Sequence, residues 1–297
     1  MSLLIASTVD EALEALSTGA RPIAGGTDLV VGARHGKAPL PDHLVAIDRI
    51  ASLRTIDERD GSLVIGAGVS HHVLETDDRV ATRWSAIADA AALVGSPATR
   101  HVGTLGGNVM NGSPAMDTGA PLVVLGATAE LQSVRGVRHL SMHELWIAPG
   151  RTAALPDELC VAIHLPAQHN RSGSAYVRLE YRRAMEIAVV GAAASVRLAD
   201  DGSVEHVVVA LTAVAPTILA VTGLEHLGGD VDAVAAAVAA AASEQARPIS
   251  DVRASDRYRR HCIGVMARRA VEAAARRAAG EIIAIPVNRA LGIGAAS

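Results

Sequence analysis

Short apolar runs alternate with glycine-rich turns through the first half of the chain, a pattern typical of mixed helices and strands. Thr8 to Glu11 matches a helix-capping sequence, and Ala12, Leu13 and Leu16 follow at helical spacing before Gly19. Further along, apolar runs predict strands at residues 21–24, 43–47, 63–67, 127–133 and 160–165. Helices are predicted at residues 85–94 and just after Asp117.

The pattern changes after residues 167–173, a polar segment that suggests a domain boundary. Strand-like runs follow at residues 175–182, 189–198 and 204–213, and Asp200-Asp201-Gly202 predicts a hairpin between the last two. Helical patterns then dominate, at residues 218–226, 231–246 and 255–279. We therefore expect an α+β second domain, a three-stranded antiparallel sheet with helices. The expected boundaries are 1–168 for the first domain, 169–285 for the second and 286–297 for a tail.

Composition narrows the possible functions. The chain has 297 residues, half of them apolar, and a net charge of −4, so neither nucleic acid nor an anionic membrane is an expected partner. The N-terminus has no basic region and no long apolar stretch is free of charges, so we expect a cytoplasmic protein without an integral membrane segment. Cys160 and Cys262 are expected to be buried thiols, and two cysteines cannot hold an iron–sulfur cluster, which needs about four.

Two glycine-rich loops are the candidates for binding a bulky anion. Residues 24–29 and 103–108 each follow an apolar run, and paired glycines expose consecutive backbone amides to a group such as pyrophosphate. Either loop alone is more often an ordinary tight turn. Gly66-Ala67-Gly68 lacks the third glycine of a Rossmann fingerprint and no phosphate-binding P-loop motif is present. A bound dinucleotide would need a different architecture.

The histidines and arginines suggest no separate site. His139 and His143 have metal-ligand spacing but lack the glutamate of the zinc-protease pattern, and residues 135–138 favour a hairpin there, so no metal is expected. His71-His72 is interpreted as a solvated turn. Ser113 lies outside a hydrolase nucleophile elbow. A solvated helix face, with partner contact as the less favoured alternative, is predicted for Arg268, Arg269, Arg276 and Arg277.

Three segments together resemble the medium, FAD-binding subunit of molybdenum hydroxylases: the two glycine loops, residues 99–125 around the second loop, and the motif from Asp251 to Arg260. That family includes bacterial carbon monoxide dehydrogenase, nicotine and ketone dehydrogenases, and the middle portion of xanthine dehydrogenase. The resemblance implies an FAD-binding domain of the vanillyl-alcohol-oxidase/MurB (PCMH) type, with two α+β subdomains, followed by a C-terminal α+β domain.

The resemblance also implies which residues contact FAD. The first loop would wrap the pyrophosphate through its backbone and the second would form a clamp; Ser113 and Asp117 would contact the ribityl and phosphate-ribose portion. The isoalloxazine ring would lie near Met110 and the strand around Val161, and Arg178, before the motif 182–188, matches a basic position near the flavin. The full expected set is Ala24, Gly25, Gly26, Thr27, Asp28, Leu29, Thr104, Gly106, Gly107, Asn108, Met110, Ser113, Asp117, Val161 and Arg178.

No histidine or cysteine lies in either loop, so FAD is expected to bind non-covalently. The resemblance implies an oxidoreductase subunit with no substrate-oxidising residues of its own. A large molybdenum-cofactor subunit and a small [2Fe–2S] subunit would be its partners, in a heterotrimer that is doubled. Electrons would pass from the clusters to NAD, a quinone or another acceptor. Two alternatives stay open: a stand-alone FAD-dependent oxidoreductase of the same fold, and a non-catalytic nucleotide-binding assembly protein.

Overall fold

A computed structural model describes residues 1–36, 38–182 and 184–293. Arg183, within the motif 182–188, and the last four residues of the expected tail lie outside the described residues. No helix in the described ranges is long and apolar enough to cross a membrane.

The secondary structure mixes short strands and helices. The strands are β1 (Ser2–Ile5), β2 (Arg21–Ile23), β3 (His43–Ala46), β4 (Ile56–Arg59), β5 (Ser62–Gly66), β6 (Thr128–Ser133), β7 (Gly136–Ser141), β8 (Trp146–Ala148), β9 (Arg151–Thr152), β10 (Leu159–Leu165), β11 (Ser172–Leu179), β12 (Val190–Leu198), β13 (Val204–Thr212) and β14 (Leu219–Ala220). The helices are α1 (Val9–Ser17), α2 (Leu29–Arg34), α3 (His71–Thr76), α4 (Asp78–Arg83), α5 (Ser85–Ala91), α6 (Pro97–Val102), α7 (Leu105–Asn111), α8 (Gly119–Val124), α9 (Met142–Leu145), α10 (Val231–Gln245), α11 (Asp256–Ala278) and α12 (Val287–Ala290).

The chain divides into two compact units that are not continuous in sequence. Unit 1 consists of Met1–Val73, Pro97–Gly112 and Ala127–Ala167. Unit 2 consists of Leu74–Ser96, Ser113–Gly126 and Gln168–Ser297. Two segments from the first half of the chain therefore pack with the second half. The boundaries expected at residues 168 and 285 stay predictions.

Unit 1 contains a three-stranded parallel sheet in the order β1-β3-β2 and a five-stranded antiparallel sheet in the order β4-β5-β10-β6-β7. Helix α1 buries Ala12, Leu13 and Leu16, the residues at helical spacing, against the apolar core of this unit. Its N-cap is Thr8, whose hydroxyl accepts from the Glu11 amide, as predicted. The Glu11 carboxylate accepts from the amide of Ser7, so the reciprocal half of the predicted capping sequence is shifted by one residue.

Unit 2 contains an antiparallel sheet in the order β11-β12-β13-β14, with helices packed on it. One face, which carries Val177, Ala192 and Leu211, belongs to the apolar core formed with α10 and α11. The α+β class is confirmed, but the predicted helix at residues 218–226 is wrong. Leu219 and Ala220 pair with Leu211 and Ala210 as a fourth strand, because β13 leaves an edge that a short extended segment can satisfy.

Charged side chains are buried inside unit 2 in ion pairs. The Arg277 side chain is 7% exposed and forms two hydrogen bonds to Asp89, so its predicted place on a solvated helix face is wrong. The predicted exposure holds for Arg268 and Arg276. Within the motif from Asp251 to Arg260, the guanidinium of Arg259 donates to Asp251 and to the carbonyl of Val189. Burial opposes ionisation of Asp251, yet backbone amides and Arg259 lower its pKa to about 2.

Candidate functional site

The first glycine loop leaves strand β2 and leads directly into helix α2. Strand β2 is held by β3, where Ile23 pairs with Ala46, and this fixes the point at which the loop begins. Gly26 has φ of +68°, a left-handed conformation that side chains rarely adopt, and this turns the chain sharply. Gly25 and Asp28 are exposed, whereas Ala24, Thr27 and Leu29 are half-buried. Ala24 packs on the apolar core of unit 1.

The two glycine loops touch through their backbones. A Cβ atom added to Gly25 would lie 1.8 Å from the carbonyl oxygen of Val102 and 3.1 Å from the amide nitrogen of Gly103. A Cβ on Gly103 would lie 3.6 Å from the hydroxyl of Thr27. On the same side the Asn111 amide reaches the Asp28 carboxylate at 3.4 Å. Two segments about eighty residues apart in sequence thus form one continuous surface.

Unpaired backbone donors are concentrated in the first loop. Among the described residues, the amides of Gly25, Gly26 and Thr27 donate to no backbone carbonyl. In the second loop, by contrast, the amides of Leu105 and Gly106 donate to Val69 and Ala67. The first loop therefore offers three successive amides that can donate hydrogen bonds to a bound oxyanion.

The second loop forms the start of helix α7 and is held rigidly. Thr104 is the N-cap, and its hydroxyl accepts from the amide of Gly107 at 3.1 Å. Gly106 is buried so tightly that an added Cβ would lie 2.5 Å from the Cβ of Ala67. Gly107, one residue later, is exposed, and the indole nitrogen of Trp146 donates to the carbonyl of Val109 further along α7. This loop presents the exposed Gly107 with the half-buried Thr104 and Asn108.

His71 lies directly behind the second loop. Its backbone amide donates to the carbonyl of Gly103 at 3.0 Å, and its ring is 3.4 Å from the position of a Cβ on Gly103. The side chain is 2% exposed, so the predicted solvated turn is wrong for this residue. Burial, with a smaller contribution from the charge of Arg100, lowers the pKa of His71 to about 4. The ring is neutral at pH 7, and its Nδ1 has no hydrogen-bond partner.

Three of the expected flavin contacts belong to unit 2, and two of these bind each other. The guanidinium of Arg178 donates to Asp117 at 2.8 Å and is also paired with Glu180. The hydroxyl of Tyr176 donates to the other oxygen of Asp117 at 2.8 Å, and the Arg178 side chain is fully buried. Ser113, the third, is half-buried, and its hydroxyl accepts from the amide of Ala115.

The electrostatics of this pair are those of a fully desolvated network. Burial and then the neighbouring charge of Asp117 raise the pKa of Tyr176 well above its ordinary value, so the phenol stays protonated and donates. Burial alone would lower the pKa of Arg178, but the charges of Asp117 and Glu180 outweigh it and raise that pKa. Asp117 is therefore engaged by side chains and does not cap helix α8, whose N-cap is Thr118.

The remaining expected contacts, Met110 and Val161, lie in unit 1. Met110 is half-buried on helix α7. Val161 is 8% exposed in strand β10 and belongs to the apolar core of the unit. Sequence reasoning missed His71, Asn111 and Trp146, all of which support the loops. Nothing in the local pattern marks them, because their role depends on contacts with distant segments.

Comparison with known families settles the classification. Residues 1–168 match the family described as "FAD binding domain in molybdopterin dehydrogenase", and residues 175–274 match the "CO dehydrogenase flavoprotein C-terminal domain". The chain belongs to this family of flavoprotein subunits. As a family member it is an oxidoreductase subunit with an FAD-binding domain of the molybdopterin dehydrogenase type, which confirms the expected fold.

Individual relatives match over almost their whole length. The chain is 35% identical to the carbon monoxide dehydrogenase medium chain of Afipia carboxidovorans, with 90% of this chain and 92% of the relative covered. It is 31% identical to the xanthine dehydrogenase FAD-binding subunit of Escherichia coli, with 93% and 97% covered. A solved carbon monoxide dehydrogenase of Hydrogenophaga pseudoflava, lacking the Mo-pyranopterin moiety, aligns with a TM-score of 0.88 at 30% identity, covering 93% of this chain and 98% of that one.

The geometry of unit 1 fits the cofactor of this family. The pyrophosphate of FAD needs several hydrogen-bond donors at one point, and the amides of residues 25–27 are three successive donors that bind no backbone carbonyl. The exposed Gly107 lets a ligand approach the backbone of the second loop closely.

Proposed function

We propose that this chain is the FAD-carrying electron-transfer subunit of a molybdenum hydroxylase. It would take electrons from the [2Fe–2S] clusters of a small subunit and deliver them to an external acceptor such as NAD or a quinone. Substrate oxidation would take place in a large molybdenum-cofactor subunit. The observation that carries the proposal is the backbone contact between the two glycine loops, beside three unpaired amides.

The chain's own residues would bind and orient the cofactor. The amides of Gly25, Gly26 and Thr27 would donate to the pyrophosphate, while Ala24, Asp28 and Leu29 fix the shape of the loop. Thr104, Gly106, Gly107 and Asn108 would form the second wall, with Met110, Ser113 and the strand around Val161 as further contacts carried over from the family resemblance. FAD, when bound, supplies a group that can exchange electrons one or two at a time.

For Asp117 and Arg178, a direct flavin contact stays a prediction. The contacts between them favour a different role, because the guanidinium of Arg178 has no exposed surface and both Asp117 oxygens already accept hydrogen bonds. We propose that the hydrogen bonds between Asp117 and Arg178 fix the conformation of the segment around residue 117, and that any flavin contact of this segment comes from Ser113.

The subunit partners follow from what the chain does not supply. Cys160 lies in unit 1 and Cys262 in unit 2, both as buried free thiols, so these two residues provide no cluster ligands. The curated relative in Afipia carboxidovorans is named a medium chain, which supports larger and smaller partners here. A doubled heterotrimer, non-covalent FAD and a cytoplasmic location are parts of the same proposal.

The proposed pyrophosphate site at residues 25–27, called the cradle below, can be tested with a pair of glycine variants. In Gly25→Ala, the new Cβ has to move from 1.8 Å to at least 3.0 Å from the Val102 carbonyl, so the loops must separate. Loss of one amide–phosphate hydrogen bond costs about 1.5–3 kcal/mol, roughly 10- to 100-fold in Kd. Gly32→Ala, in the adjoining helix α2 where a Cβ meets nothing within 4 Å, is the matched control. Both variants are titrated with FAD by fluorescence quenching; equal affinities would contradict the cradle.

The electron-transfer role needs a separate experiment. The full chain is loaded with FAD, photoreduced without oxygen and mixed with NAD or a quinone, while absorbance at the flavin band is followed. We expect reoxidation by an acceptor and no bleaching by organic substrates until both partner subunits are added. Stoichiometric bleaching by a substrate with this chain alone would favour the stand-alone oxidoreductase. Failure to bind FAD at all would favour the assembly protein.

A further inference from the structure

Three potential metal ligands meet on one face of the five-stranded sheet in unit 1. Glu130 lies on β6, His139 on β7 and His164 on β10, and β6 is hydrogen-bonded to both of the other strands. One ligand atom from each side chain lies within 4.8 Å of the other two. In the part of the chain that the structure describes, this is the only such group of three.

The sheet register explains why these side chains converge. Glu130 is directly opposite His139, and its partner on β10 is Ala162, two residues before His164. Side chains of paired residues, and of residues two apart on one strand, lie on the same face. The three therefore share a face whatever their rotamers. The backbone places them there, so assembling the site needs no rearrangement of the strands.

The distances fit a four-coordinate ion after small side-chain rotations. Bonds of about 2.0–2.2 Å in a tetrahedral site place the ligand atoms about 3.4 Å apart. His164 Nε2 now lies 2.6 Å from the Glu130 carboxylate, and the rings of His139 and His164 are 5.1 Å apart at 73°. An ion inserted between them would replace a hydrogen bond by two metal bonds. His139 is exposed, so its ring can turn at little cost.

We infer that Glu130, His139 and His164 form a binding site for a divalent transition metal of the zinc type. Two imidazoles and one carboxylate are the ligand set that borderline ions prefer, whereas magnesium and calcium take oxygen ligands. The exposed side of His139 leaves a fourth position open to water. The ion would link three adjacent strands of the sheet.

The nearby thiol does not belong to this ligand set. Burial, and to a smaller extent the charge of Glu130, raises the pKa of Cys160 to about 12, so that thiol stays protonated and is a poor ligand. His143, which the sequence pairs with His139, lies in α9 after the end of β7. The hairpin predicted around residues 135–138 is confirmed, and it turns His139 towards Glu130.

The test is a metal titration of the full chain, purified without a histidine tag and treated with a chelator. Zinc chloride is added in a calorimeter, and cobalt chloride is added separately to record the visible bands of tetrahedral cobalt. We expect one equivalent of either ion to bind and magnesium chloride to give no heat. The three ligands lie outside the two glycine loops, and the titration is carried out on the FAD-free chain, so its result does not depend on FAD binding.

Two variants remove one ligand each. His139→Ala, at an exposed position, and Glu130→Gln should each weaken zinc binding on the order of 10- to 100-fold or more and abolish the tetrahedral cobalt spectrum. His143→Ala is the control, with the affinity of the unaltered chain. No stoichiometric zinc binding, or unchanged affinity in His139→Ala, would overturn the inference; circular dichroism at pH 7 excludes unfolding of the variants as the cause.

Discussion

The buried ring of His71 should make unit 1 sensitive to acid. His71 is 2% exposed, and the Nδ1 atom of its ring has no hydrogen-bond partner. The backbone amide of His71 donates a hydrogen bond to the carbonyl of Gly103 in the second glycine loop. A proton added to the ring would be a buried charge close to Arg100, a second positive group. Acidification must therefore either leave His71 neutral or loosen the structure around the loop.

The magnitude follows from the pKa in the two states. Burial lowers the pKa of His71 from 6.5 in the unfolded chain to about 4 in the folded one. The unfolded chain thus binds the extra proton first, and the stability linked to His71 is present above pH 6.5 and lost as the pH falls through 4. The full difference is worth about 3 kcal/mol, of which about 2 kcal/mol is lost between pH 7 and pH 5.

The assay compares the free energy of urea unfolding at several pH values between 7 and 5. The measurements use a Trp84→Phe background, in which Trp146 is the sole tryptophan and gives the fluorescence signal. The indole of Trp146 donates a hydrogen bond to helix α7 in unit 1. His71→Gln removes the titrating group and should be less stable at pH 7, yet lose about 2 kcal/mol less than the unaltered chain on going to pH 5. His169→Gln, at an exposed position, is the control. Parallel pH dependences for His71→Gln and the unaltered chain would refute the reasoning.

Two further substitutions test the supports of the site. Thr104→Ala removes the hydroxyl that accepts from the amide of Gly107, and should lower the free energy of urea unfolding of unit 1 by about 1 kcal/mol. Thr104→Ser keeps a hydroxyl and should stay close to the unaltered chain; equal losses in the two variants would exclude the capping role. Asp117→Ala leaves Arg178 with one fewer buried partner and should destabilise the chain by about 3–5 kcal/mol, lowering Tm equally with and without FAD. A loss confined to the FAD-bound Tm would instead make Asp117 a flavin ligand.

Periodicity predicted most of the regular elements because their causes are local. The helix from residue 255 to 279 is α11, and the hairpin at Asp200 to Gly202 joins β12 and β13. The strand near residue 219 was missed because its reason is the free edge of β13, eight residues earlier in the chain. A two-residue strand has too few positions to show alternation.

The residues that hold the candidate site in place could not be predicted either, because their contacts are with segments that are distant in sequence. Asp117 meets Arg178 and His164 meets Glu130 only after segments that are distant in sequence have packed together. The local sequence around His71 shows a polar pair that usually faces solvent. Its burial comes from the second glycine loop, which arrives about thirty residues later. What the sequence did supply was the pair of glycine loops, since glycine is required wherever backbones approach closely.

The glycines of the two loops have different physical requirements, and this identifies Gly107 as the most informative one. Gly25 and Gly106 each touch protein backbone, whereas a Cβ on Gly107 would meet only the hydroxyl of Thr104, at 3.0 Å. Gly107 has no positive φ and lies exposed in α7, so alanine should gain up to about 1 kcal/mol of helix stability, which offsets that contact. Gly107→Ala should thus leave the Tm of the FAD-free chain unchanged. It should weaken FAD binding roughly tenfold or more, because the new methyl group would lie where the cofactor approaches the backbone of the loop. Unchanged FAD affinity in a calorimetric titration would show that the second loop does not contact the cofactor.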